Sequence, residues 1–194
     1  MSQTSGLRAR ARHFPLVVLA LAAECVISLA SSANALTLGA VAPPGLGSCV
    51  NCQVFQRRSV AGQPLYKVPP GLWTITSWST QGGGTAEGTA KLRVYRPTET
   101  ANQYKLVKQS GFQVIPKNKH PTFTVSLNVQ GGDLLGLLTG SNLPSAFNTA
   151  TDGPKVAIVG CDTTVGQLVG AGTSCPLDVL LNRLVNVKVT LIKR

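Results

Sequence analysis

Thr122-Phe123-Thr124-Val125-Ser126-Leu127-Asn128-Val129 sets an apolar side chain at every second position and a small polar one between. Successive side chains of an extended chain point to opposite faces, so this run reads as a strand with one buried face and one wetted face. Working outward, similar short runs recur between turn signals. Residues 50–57, 64–68, 72–80, 91–96, 104–109, 112–115, 133–139, 155–160 and 184–193 all read as strands. Pro69-Pro70-Gly71 ends one of them, and Gly131-Gly132 precedes another. In 91–96, Leu92 and Val94 are expected inward and Lys91, Arg93 and Tyr95 outward. In 184–193, Val185, Val187, Val189 and Leu191 alternate with Asn186, Lys188 and Thr190. Residues 133–139 are nearly all apolar, as in a strand covered on both faces. Only 177–184 reads as a short helical turn, and Gln81 to Gly88 is too rich in glycine to pair and is expected to be a flexible loop.

Short strands without helices long enough to cover a parallel sheet define an all-β, antiparallel protein. A jelly-roll-like β-sandwich, with the last strand returning between earlier ones, is expected over an eight-stranded barrel. Charged residues make up only 13% of the 194, in keeping with a β composition. No period of 20–50 residues recurs, which excludes a repeat array.

Residues 1–35 have the layout of a secretory signal peptide. Arg8, Arg10 and Arg12 are followed by apolar runs at 14–23 and 26–30, and Ala33-Asn34-Ala35 offers small residues for cleavage after Ala35. A retained spanning helix is disfavoured because Glu24 interrupts the run. Lipidation at Cys25 is disfavoured because Glu24 stands where a small side chain is wanted. Removal leaves 159 residues: a Gly/Pro-rich leading segment, 36–48, and a single β-sandwich domain, 49–194. The expected location is secreted, extracellular, with no stable membrane span after cleavage.

Four cysteines remain, an even count that reads as disulfides in an exported chain. The preferred pairing is Cys161 with Cys175 and Cys49 with Cys52. The crossed alternative, joining the early segment to the late loop, stays open. Cys49-Val50-Asn51-Cys52 also has the spacing of half a zinc site or a redox dithiol. No second pair of ligands stands at matching spacing, and the motif precedes a strand rather than a helix, so a structural bridge is preferred. Nothing in the sequence asks for a metal or a cofactor.

Catalytic patterns are sparse. No Gly-x-Ser-x-Gly turn occurs, and the sole histidine past the leader, His120, lies between Lys119 and Pro121 at a charged tip. Carboxylate chemistry would have to draw on Glu87, Glu99, Asp133, Asp152, Asp162 and Asp178. Of these, Asp133 suits a turn role, capping backbone N–H groups after Gly131-Gly132. Binding is harder to dismiss. Trp73 and Trp78 lie five apart, so in a regular strand they face opposite ways; one would then be core and the other a plate for stacking, with Tyr95 a further candidate. Burial of both tryptophans is the competing reading. The chain carries a formal net charge of +11, which favours polyanionic partners or simply solubility, and no dense basic run points to specific nucleic-acid binding.

Two stretches, Val68-Pro-Pro-Gly-Leu-Trp-Thr-Ile-Thr-Ser-Trp-Ser-Thr80 and Phe123 through Val129-Gln-Gly-Gly-Asp133-Leu-Leu-Gly-Leu137, resemble secreted bacterial proteins without an assigned function. In those, a strand carrying TSWS precedes a V-x-x-GD-x-x-GL turn and strand. The resemblance covers the middle half of the chain. It implies export and a β-sandwich, and brings no catalytic residues. The expectation is a non-catalytic binding or structural module at the cell surface, for glycan or anionic wall polymer. The alternatives are a secreted carboxylate-dependent hydrolase of polysaccharide and a subunit of a surface assembly. The oligomeric state is left open.

Overall fold

The computed structural model describes residues 35–46, 49–141, 143–148 and 153–194. Contacts divide the chain into units 1–31 and 32–194, and the description concerns the second. Residues 1–34, with Ala33 among them, and Asp152 lie outside the described residues, of which Ala35, the last of the expected leader, is the first.

Fourteen strands and no helix make up the described residues. They are β1 (Leu36–Ala40), β2 (Gln53–Arg58), β3 (Leu72–Ser79), β4 (Gly88–Pro97), β5 (Gln103–Gln109), β6 (Gln113–Ile115) and β7 (Thr122–Gln130). The remainder are β8 (Leu134–Ser141), β9 (Ala146–Asn148), β10 (Lys155–Val159), β11 (Leu168–Gly170), β12 (Leu177–Leu181), β13 (Arg183–Val185) and β14 (Val187–Lys193). A smaller sheet has the order β1-β14-β3-β7; a larger one runs β11-β5-β4-β8-β2-β10-β12, with β6 paired to the start of β4. All their pairings are antiparallel. β9 and β13 form a separate ribbon.

The fold is an antiparallel β-sandwich with jelly-roll strand order. The small sheet and the centre of the large one, β2-β8-β4-β5, account for eight strands, and along these eight the chain crosses between sheets after β1, β2, β3, β5, β7 and β8. As expected, the final strand returns between earlier ones, β14 lying between β1 and β3. Of the segment β9–β13, inserted before that return, β10, β11 and β12 widen the large sheet.

The main core fills the space between the sheets, with Ile75, Trp78, Leu92, Val94, Leu135, Leu137, Val189 and Leu191 at its centre. β7 keeps the alternation from which its fold was read: Phe123, Val125, Leu127 and Val129 pack inward and Thr122, Thr124, Ser126 and Asn128 are exposed. A second apolar cluster lies on the opposite face of the large sheet, formed by Phe55, Tyr95, Tyr104, Leu106 and Val169. Segment 160–177, closed by the Cys161–Cys175 disulfide, covers it. The Cys49–Cys52 bridge is formed as well.

Several expectations change. Residues 36–40 are not merely a leading segment but the edge strand β1, because Leu36 and Leu38 complete the small sheet's core. Residues 64–68 form no strand; a single bridge joins Lys67 to Leu134 before the two prolines, which have no N–H to continue it. Residues 177–184 are not helical. Leu177–Leu181 pairs with β10 along its whole length, and Asn182 adopts a left-handed φ of 56° that turns the chain into β13. The glycine-rich loop forms no strand before Gly88, yet its start is buried and tied down. The amide of Gly82 donates to Lys119 and the carbonyl of Gly83 accepts from Asn118.

Candidate functional site: a cationic groove at one end of the sandwich

None of the three aromatic residues singled out as stacking plates presents an open ring. Trp78 is buried, 5.1 Å from Phe123 between ring centroids. Trp73 is half-buried against the same core, and its Nε1 donates to the Pro69 carbonyl at 3.1 Å. The two do not face opposite ways because pairing on both sides of β3 shifts register between Ile75 and Ser77. A bulge there changes the phase, so Trp73, Ile75 and Trp78 all reach the core. Tyr95 does point away from the inter-sheet core, but into the second cluster, stacked on Phe55 at 4.4 Å. Burial pushes its hydroxyl up to about 12, with Arg93 and Thr163 pulling the other way.

Arg93, also expected outward, is fully covered by the same segment. It donates to the hydroxyl of Thr163 at 2.6 Å and to its carbonyl at 3.0 Å, and Asp162 lies 3.9 Å away. Burial lowers its guanidinium from the ordinary value, partly offset by Tyr95 and Asp162. The Thr163 hydroxyl in turn donates a hydrogen bond to Gln53 Oε1 at 2.7 Å. This network holds the covering segment to β2 and β4.

The acids are dispersed. Asp133 is buried in the β7–β8 turn, where its carboxylate accepts from Arg96 Nε at 2.7 Å, Arg96 Nη2 at 3.0 Å and the Gln130 amide at 3.0 Å. It is the turn cap the sequence suggested, with an ion pair added. Glu87 precedes β4, Glu99 lies in the β4–β5 turn, Asp162 in the covering segment and Asp178 on β12. Among the described residues no group of three His, Cys, Asp or Glu is placed to hold a metal. His120 is exposed in the β6–β7 turn, where partial burial and then the charge of Lys188 hold its imidazole below the usual range.

Cations are gathered at one end of the sandwich, where β2 and β4 finish and β5 and β8 begin. Here four hollows lie side by side, each sharing lining residues with the next, and together they make up a groove. One of about 370 Å³, between Arg57, Asn102 and Pro176, meets another of about 240 Å³ lined by Arg57, Lys67, Thr98, Thr100 and Tyr104. The latter leads past Arg58 and Leu65 through about 270 Å³ into an apolar hollow of about 870 Å³ beside Val68, Pro70 and Leu72. No carboxylate lines any of these four. Arg57 is aimed from β2 by β5: its Nε donates to the Tyr104 hydroxyl at 3.2 Å and its Nη2 to Asn102, with the guanidinium carbon 5.9 Å from the Tyr104 ring centre. A separate hollow of about 520 Å³ lies near Lys91, Phe112 and Cys161, with Asp162 its one carboxylate.

Sequence reasoning missed this groove. Asn102 lies 45 residues from Arg57, and the pairing of strands, not nearness in the chain, brings it to Arg57 and Lys67. One signal was present: Arg57 and Arg58 end a strand that otherwise reads as core. Neither a protein-family model, nor a curated protein, nor a solved structure matches the chain. The two disulfides are consistent with an extracellular protein, and no helix among the described residues is long and apolar enough to cross a membrane.

Proposed function

We propose that this protein is an exported, non-catalytic jelly-roll module that binds an anionic polymer, a uronic-acid glycan or a phosphate-bearing wall polymer, at the cell surface. The observation that carries the reading is the groove lined by Arg57 and Lys67 with hydroxyl and amide side chains beside them and no carboxylate along it. Cations in a concave surface raise the local potential, and planar guanidinium matches carboxylate or phosphate oxygens in pairs. Thr98, Thr100 and Asn102 add neutral hydrogen-bonding groups for sugar hydroxyls. The hydrolase alternative needs two carboxyls facing across one bond. The described acids lie on separate elements, and the most buried of them is committed to Arg96.

Export accords with the leader pattern and with the two bridges. The N-terminus of the secreted protein, read by mass spectrometry, is expected at Leu36; a peptide beginning at Met1 would refute cleavage.

Co-sedimentation with polygalacturonate and with a neutral glucan tests the binding reading. Retention on the acidic polymer alone is expected, falling by about tenfold between low and high salt as screening shortens the reach of the charges. Arg57→Gln with Lys67→Gln should remove most of it with an unchanged melting temperature. Equal retention on both polymers, or none on either, overturns the proposal.

A further inference from the structure

The apolar end of the groove has chemistry for which a soluble polyanion has no use. Leu65 is 59% exposed and Leu72 57% exposed, and both line the hollow beside Pro70. These leucines are not on a frayed loop. The Gly131 amide donates to Gly71 at 2.8 Å, Gly132 to Val68 at 2.9 Å and Val68 to Asp133 at 2.8 Å, so the β2–β3 connection and the β7–β8 turn clamp each other. Trp73 lies beneath, with its indole N–H fixed to Pro69.

Cations surround this tip. Lys67 lines the same hollow, and Arg58 lines the adjoining one together with Leu65. Lys193 pairs across from Trp73, and the amide of Arg194 donates to the Leu72 carbonyl at 3.0 Å. All four of these basic residues are exposed. Of the acids nearby, Asp133 is buried under Arg96, and Glu99 lies in the β4–β5 turn.

We infer that this tip docks on an anionic lipid surface, Leu65 and Leu72 entering the boundary between headgroups and acyl chains while the surrounding cations meet lipid phosphates. Apolar insertion and charge attraction reinforce each other at such a surface, and neither alone gives firm attachment. A second copy of the chain would bring its own cations against these, and a neutral partner would leave them unmatched. The inference shares Lys67 with polymer binding, but its apolar half plays no part there.

Vesicles of mixed phosphatidylglycerol and phosphatidylcholine, and vesicles of phosphatidylcholine alone, provide the test. The intact protein is expected to sediment with the anionic vesicles only, with a blue shift of tryptophan emission as Trp73 loses water. Leu65→Ser combined with Leu72→Ser should weaken that binding by about tenfold, as should Lys193→Gln with Arg194→Gln, both melting like the parent. The leucine variant should keep its retention on polygalacturonate, which separates the two surfaces. Undiminished vesicle binding by the leucine variant, equal binding to both vesicle types, or no binding by the parent would overturn the inference.

Discussion

Asn186 lies at the break between β13 and β14, and its side-chain amide meets four backbone groups from three segments. Its Oδ1 accepts from Ala42 at 2.7 Å and Gln81 at 3.2 Å, while its Nδ2 donates to Gln81 at 3.0 Å and Pro144 at 2.7 Å. In a plain reading of alternation it belongs on the wetted face, yet it is fully buried. Asn186→Ala strands several buried polar groups at once and should lower stability by about 3 kcal/mol or more in urea titration. Arg93 poses a different problem. Its charge is buried with one distant carboxylate, so Arg93→Met should lie within about 1 kcal/mol of the parent, whereas Thr163→Val, which leaves the charge without its closest partner, should cost about 2–3 kcal/mol. Alkaline pH reads the buried tyrosines. Burial raises Tyr95 to about 12 and raises Tyr66 as well, against the ordinary value of 10.0. Both remain protonated in the fold while the unfolded chain ionises, so their contribution is complete below pH 10 and is lost as pH rises from there, that of Tyr95 through about 12. Tyr95→Phe should flatten that decline in melting temperature.

Among the elements, β4 shows how far alternation alone can be taken. The inward placement of Leu92 and Val94 and the outward placement of Arg93 and Tyr95 were legible from the residues, but outward proved to mean into a second core. Nothing local announces that segment 160–177 folds back over the sheet; the evidence in the sequence was a pair of cysteines 14 residues apart. That bridge should contribute about 3 kcal/mol by the chain-entropy argument. Cys161→Ser with Cys175→Ser is therefore expected to unfold at lower denaturant and to bind a hydrophobic dye through the uncovered cluster, while Cys49→Ser with Cys52→Ser should unfold nearer the parent, because its loop is so short. β3 misled for a physical reason: a bulge spends one residue without advancing the pattern, and Trp78 moves to the core side with Trp73. β12 misled because leucines at 177, 180 and 181 suit either period, and pairing with β10 decides between them.

At the scale of the molecule, the all-β class followed from many short alternating runs, with β7 the clearest, and the return of β14 between β1 and β3 agrees with the preference for a jelly roll over a barrel. The groove and the tip were not legible. They depend on which strand ends are neighbours, and that is a property of topology. The Gly131 turn ties the two levels together: a Cβ there would stand 2.7 Å from the Pro70 Cα and 2.9 Å from the Pro69 oxygen. Gly131→Ala should push the Pro-Pro-Gly turn aside. The expected result is a modest loss of melting temperature with a clear change in Trp73 emission, since its indole N–H leans on that turn.

The placement of β14 sets an order of events. Without residues 187–193 the small sheet is cut in two, β1 on one side and the β3–β7 pair on the other. A chain emerging from its amino end can form the β4–β5 and β3–β7 pairings early, but it cannot seal the sandwich until residues 187–193 are free to slide into the gap. Closure must therefore wait for β14, and a polypeptide lacking that one strand would remain open, sticky and easily digested.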